Sequence, residues 1–133
     1  MRKKFSTKWN SSTQPRKQRK YRFNAPLHVK HKFMAAHLSK ELRAKYKTRS
    51  MPVAKGDKVK VLVGQYKGRE NKIERVDLKN TKVYITGVDR TKRDGSKSMY
   101  PIHPSNILIT ELKLDDKKRK QALERKTKSR EEK

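Results

Sequence analysis

The chain has 133 residues, enough for one small domain with appendages. Its 39 Lys and Arg outnumber 13 Asp and Glu, for a net charge of +26, and self-repulsion at that density opposes compaction unless a polyanion joins the fold. Only 31% of residues are apolar and none is Cys, so the core is small and disulfide scaffolds, cysteine zinc sites and thiol catalysis are excluded.

No stretch approaches the roughly 20 apolar residues needed to span a bilayer, so no membrane insertion is expected. The first ten residues are basic without an apolar centre, so no signal peptide is expected and the cytoplasm is the expected compartment.

Residues 1–22 carry Arg2, Lys3, Lys4, Lys8, Arg16, Lys17, Arg19, Lys20 and Arg22, and no acid. The segment lacks helical or strand periodicity. It reads as a basic extension, disordered alone and ordered by threading along RNA. A solvated tail without a partner is the plainer alternative, although such a tail would normally include acids. Trp9, Tyr21 and Phe23 can either stack on bases or dock onto the following helix.

Residues 23–52 predict two short helices. Asn24 is placed to cap the first and Pro26 to sit in its first turn, with Leu27, His31, Met34 and Leu38 as its apolar stripe. Ser39 then caps a second helix over residues 40–46, where Leu42 and Tyr46 share a face. Ser50-Met51-Pro52 breaks the helical pattern.

Residues 53–112 predict about five short strands, hence a small closed or nearly closed barrel. Val59, Val61 and Val63 alternate as a half-buried strand, and a turn bounded by Gly64 and Gly68 follows. Ile73, Val76 and Leu78 change spacing from three to two, which predicts a bulge. A third strand covers residues 82–88. Arg93-Asp94-Gly95-Ser96 marks a hairpin, and 101–106 turns into a last strand at 107–110. Residues 113–133 predict a basic helix and tail, capped by Asp115 or Asp116 and docked by Leu112, Leu114 and Leu123. Every one of these segments is net basic, as suits a chain with phosphate on several sides.

Chemistry beyond binding finds no support. His28 and His31 lie three apart on a helix, yet no acid or Cys nearby completes a metal site, so neither metal nor cofactor is expected. The glycines precede no Gly-Lys-Ser/Thr ending, which argues against a nucleotide loop. The chain is not expected to be an enzyme.

The stretch 55–73, KGDKVKVLVGQYKGRENKI, resembles a KOW motif: a strand, a basic glycine loop, and a second strand. Glycines permit the left-handed backbone and close approach that a tight loop needs against phosphates. Lys67, Arg69 and Lys72 project from it as charges. An ordinary hairpin is the structural alternative. Further matches, QPRKQRK at 14–20, NAPLHVKH at 24–31, LSKELRAKY at 38–46 and YPIHPSN at 100–106, extend the likeness. Together they make the chain similar to the large ribosomal subunit protein twenty-four family, called twenty-six in eukaryotes, with the more archaeal pattern.

The resemblance implies a mainly β fold, a small SH3-like barrel flanked by short helices and basic disordered extensions. It implies a structural constituent of the large subunit, binding ribosomal RNA by charge and shape near its 5′ part and the peptide exit tunnel. Early subunit assembly, contacts with neighbouring ribosomal proteins and with factors docking at the tunnel exit are further implications.

The candidate RNA contacts are Arg16, Lys17, Arg19, Lys20, Arg22, Lys30, His31, Lys32, Arg49, Lys55, Lys67, Arg69, Lys72, His103, Ser105 and Asn106. Gly64, Gly68 and Asn71 are the candidate loop backbone. Asn71 stands where family members usually have Gly, and Asn tolerates a left-handed backbone better than most residues. The rival reading is a KOW-type interaction module of the transcription machinery, which does not need a leader this basic.

Overall fold

The structure, a computed structural model, describes residues 4–131, with side chains through residue 128. Arg2 and Lys3 therefore lie outside the described residues. A 3-10 turn, Thr7–Ser11, leads into helix α1, Pro15–Asn24. This helix occupies part of the segment predicted to lack regular structure. Pro15 begins it, which costs nothing at a position whose N–H has no helical partner, and Gln18 ties it down through the Trp9, Asn10 and Ser12 carbonyls at 2.8–3.1 Å.

Helix α2, Leu27–Phe33, starts after Pro26, and Asn24 ends α1 instead of capping α2. The predicted stripe is also corrected, since Val29 is the buried residue of α2 and Leu27 is 68% exposed. Beyond Met34 the chain forms strand β1, Ala35–Leu38, not more helix. Ala36 and Leu38 alternate into the core there, so pairing on both sides outweighs the weak strand preference of Ala. Helix α3, Lys40–Tyr46, follows the prediction, with Ser39 Oγ accepting the Leu42 N–H. Strand β2 is Ser50–Pro52.

Strands β3 (Lys58–Val61), β4 (Glu70–Asp77), β5 (Lys82–Ile85) and β8 (Ile107–Glu111) continue the sheet, in the order β2-β1-β8-β3-β4-β5. All neighbours are antiparallel except β1 and β8, where Leu38 lies opposite Ile109. The sheet thus reaches back before residue 53 for two of its strands. Strands β6 (Asp89–Thr91) and β7 (Lys97–Met99) form the hairpin that Asp94-Gly95 predicts, with Gly95 at φ +81°. The predicted bulge falls between Ile73 and Arg75, where β4 slips against β5. Val83 and Ile102 exchange backbone hydrogen bonds at 2.8 and 2.9 Å and curl the far edge inward. The result is a small β-barrel-like fold.

Met34, Leu38, Val59, Val61, Ile73, Val83, Ile85, Ile107 and Ile109 fill the interior. Val63 lies beyond the end of β3 and is 61% exposed, so the strand is one alternation shorter than the sequence suggests. Helix α4, Lys117–Glu131, begins after Asp116, whose Oδ1 accepts the Lys118 N–H at 2.9 Å. It docks by Leu123, which is fully buried, while Leu112 and Leu114 pack beside the core.

Candidate nucleic-acid interface

The glycine loop between β3 and β4 is a tight basic turn. Gly64 and Gly68 hold φ of +97° and +87°, in the region that glycine enters without steric cost. Gly68 N–H reaches back to the Val61 carbonyl at 2.9 Å and Lys67 N–H to Gly64 at 3.1 Å, which leaves Lys67 exposed at the tip. Arg69 folds back on the barrel instead. It lies over the Tyr66 ring at 5.2 Å and donates to the Gly87 carbonyl at 2.9 Å. Tyr66 in turn packs on Tyr100 and donates to the Asp89 carbonyl at 2.6 Å.

Asn71 does not belong to this loop. It sits in β4 opposite Val59, without a left-handed backbone, and its Oδ1 accepts the Lys72 N–H. The expectation of a left-handed Asn71 is therefore corrected, because ladder pairing with β3 holds it extended. Lys72 is exposed on the same strand. Lys58 and Lys60, on β3, are neutralised by Glu111 and Glu70 at 2.8 Å each. Hydrogen bonding and attraction from Glu111 raise the Lys58 pKa, and those from Lys60 lower that of Glu70.

The root of the loop touches the second predicted element. Leu62 N–H donates to the Asn106 carbonyl at 2.8 Å. A 3-10 turn, Pro104–Asn106, carries Ser105 and Asn106, and His103 caps it. His103 Nδ1 lies 2.8 Å from Ser105 Oγ. Burial first, then the charges of Lys82 and Arg22, hold the His103 pKa below its ordinary value, so the ring is neutral at neutral pH. Arg22 comes from α1, so the leader and the 103–106 turn share one face.

On α1, Arg16, Lys17 and Lys20 line a shallow hollow with Trp9, and the Lys20 ammonium sits 5.1 Å from the indole centroid. Arg19 is exposed beside them. Tyr21 stacks on Phe5 and meets Phe33 edge-on, whereas Phe23 is 82% exposed. Docking claims Tyr21 and leaves Phe23 in solvent.

The remaining candidates lie elsewhere. Lys30 donates to the Lys79 carbonyl at 3.4 Å, and Lys32 and Arg49 are exposed. His31 borders a cavity of about 340 Å³ between Met51–Ala54 and α4. Lys55 lines its neighbour with Lys113 and Arg119. The predicted RNA-facing residues are thus spread over the leader, the glycine loop and the surroundings of α4, and do not form one patch.

Sequence reasoning missed the feature that holds α4 against the barrel. Asp57 is fully buried and accepts four hydrogen bonds, from Ala54 N–H, Lys113 N–H and both terminal nitrogens of Arg119 at 2.7 and 2.6 Å. Arg119 also donates to the Lys113 and Pro52 carbonyls. Its planar fork matches a carboxylate as no Lys can. Asp57 as a lone acid among Lys55, Gly56 and Lys58 was a signal; nothing marked Arg119 among its basic neighbours.

Among the described residues, no group of three or more His, Cys, Asp or Glu could hold a metal ion, and no helix is long and apolar enough to cross a membrane.

A small basic barrel with a tight glycine loop and exposed cations defines a non-catalytic, polyanion-compatible class of structural protein, and comparison with known proteins specifies which. The family model for the eukaryotic L26 ribosomal proteins and their archaeal L24 counterparts matches residues 12–126. The large ribosomal subunit protein uL24 of Methanosphaera stadtmanae is 52% identical over 115 residues, covering 86% of this chain and 98% of that protein. The chain belongs to this family of ribosomal proteins, the L26 family of eukaryotes and L24 family of archaea. It is accordingly a structural protein of the ribosome and not an enzyme.

Proposed function

We propose that the protein is a constituent of the large ribosomal subunit that binds its RNA by charge and shape, without reading base sequence. The observation that carries this reading is the split of cations between paired and unspent. Lys58 and Lys60 are paired with acids at the surface and Arg119 with the buried Asp57, while Arg16, Lys17, Arg19, Lys67 and Lys72 stand exposed on α1 and around the glycine loop. Phosphate contacts of this kind fix position and orientation without carrying sequence information.

The barrel anchors the protein while the α1 segment and α4 brace separate RNA helices. The family resemblance carries the finer placement: the 5′ part of the large-subunit RNA, beside the peptide exit tunnel, with a role early in assembly. Neighbouring ribosomal proteins and factors docking at the tunnel exit are the accompanying partners. A transcription-type KOW module would leave the matched flanks on both sides of the barrel unexplained.

The test is a titration of the purified protein against a 5′ fragment of large-subunit RNA across a salt series. Affinity should fall steeply and linearly on logarithmic axes, and exceed that for an unrelated RNA of equal length. Equal affinity for both RNAs would contradict placement on that region.

A further inference from the structure

The cleft between α1, the β4–β5 turn and His103 is more than a charged face. Its volume is about 260 Å³, slightly under the roughly 300–1,000 Å³ of small-molecule pockets. One side is aromatic, where Tyr21 and Phe33 meet at 65° with centroids 5.8 Å apart. Such a corner accepts the edge or face of a planar ring.

The other side is polar. Gln18 commits its amide N–H groups to the Trp9, Asn10 and Ser12 carbonyls, which pins the amide and leaves its oxygen as an acceptor. His103 Nδ1 is engaged by Ser105, whose backbone N–H lies at 3.3 Å and whose Oγ at 2.8 Å, which fixes the ring in the wall of the cleft. Thr81 completes the wall with φ +55°. A β-branched residue rarely occupies that region, and Gly or Asn would hold the turn with less strain. The turn is held by Asn80, which donates to the Asp77 carboxylate through its backbone and side-chain N–H at 3.1 and 2.8 Å. None of the lining residues is acidic, and Arg22 and Lys82 add positive charge around His103.

We infer that this cleft holds one extruded nucleotide of single-stranded RNA, its base against Tyr21 and Phe33 and its phosphate on Arg22 and Lys82. Gln18, Thr81 and His103 meet the edge of the base. The inference rests on the RNA-binding reading above and adds a single base contact to it. Stacking accepts any base, and the polar edge contacts add a preference among bases at this one position. A duplex keeps its bases inside the stack and cannot fill it.

The experiment follows the His103 and Tyr21 ring resonances of the full chain by NMR. The probes are a short single-stranded RNA, an RNA duplex of matching length and a nucleoside monophosphate. The single strand should shift both rings saturably. The duplex should bind through charge without moving them, and the monophosphate should shift them only at much higher concentration. Thr81→Gly removes the hydroxyl while relieving the backbone, so it should melt no lower than the parent yet bind the single strand about two- to tenfold more weakly. Thr81→Gly should leave duplex affinity unchanged, because Thr81 lies outside the cationic surface of α1.

Binding of both RNAs with the two rings unmoved would overturn the cleft while sparing the RNA reading. Equal shifts from the duplex would reduce the site to a phosphate contact, and equal shifts from the monophosphate would assign it to free nucleotides. Failure of both RNAs to bind would instead overturn the reading on which the site rests.

Discussion

Gly68 and Lys67 are neighbours with opposite duties. A Cβ at Gly68 would meet no other group within 4 Å, so the penalty of Gly68→Val comes from its φ of +87° alone. That change should cost about 1–3 kcal/mol and weaken RNA docking by withdrawing the loop backbone. Lys67→Ala should keep the parent melting temperature and lose RNA affinity only. Asn71→Gly should be mildly destabilising, by about 0.5–1 kcal/mol, because position 71 is extended strand. Thermal melts and RNA titrations of the three variants separate these outcomes.

The Asp57–Arg119 pair locks α4 onto the barrel. Arg119→Met leaves the buried carboxylate with two backbone donors only, and should cost about 3–5 kcal/mol. Asp57→Asn turns an amide N–H toward the guanidinium and should also destabilise. The double variant Asp57→Asn/Arg119→Met should lose less than the sum of the two, since removing the second partner repairs what removing the first exposed. Strict additivity in denaturant unfolding would mean that the two groups act independently.

Among the elements, the helices differ in how they are held. Helix α1 has no buried residue and depends on Gln18, the Tyr21 cluster and few backbone ties, whereas β3 and β8 carry Val59, Val61, Ile107 and Ile109 into the core. Amide exchange in the free protein should therefore be slowest in β3 and β8 and fast throughout α1. Strong protection of α1 without RNA would show that the leader is built into the fold. Replacing Arg16, Lys17, Arg19 and Lys20 together by Gln should leave the barrel melt unchanged and flatten the salt dependence of RNA binding. The slope should change by about 0.7–0.9 log unit for each phosphate that is no longer neutralised. An unaltered slope would mean that these side chains face solvent.

The elements also show where the sequence was legible. Strands β3 and β8, the Asp94-Gly95 hairpin, the β4 bulge and the Ser39 and Asp116 caps all follow from local pattern or local chemistry. Strand β1 did not, because Met34 and Leu38 are four apart and fit a helix as well as they fit the end of one and a strand. Pairing with β2 on one side and with β8, far along the chain, on the other decides between them. In α2 the alternative stripe Ala25, Val29 and Phe33 was present in the sequence, but the larger Leu27 drew the assignment away from it. At the site, exposed cations were recognisable by their excess. The folding back of Arg69 and the locking of Arg119 depend on partners that the fold brings together.

For the molecule as a whole, charge and core divide the work. A net charge of +26 surrounds a single barrel interior, so repulsion between α1, α4 and the loop persists until phosphates neutralise it. Addition of RNA should accordingly raise the melting temperature of the full chain, and moderate salt should do so less effectively, because it screens without bridging. Whether this protein is a working part of the large subunit is read by fractionating a lysate on a density gradient and probing each fraction for the chain. The protein should sediment with the large subunit and with whole ribosomes, and move to the top of the gradient after ribonuclease treatment. Finding it with polymerase fractions, or free at the top before that treatment, would contradict its assignment to the large subunit.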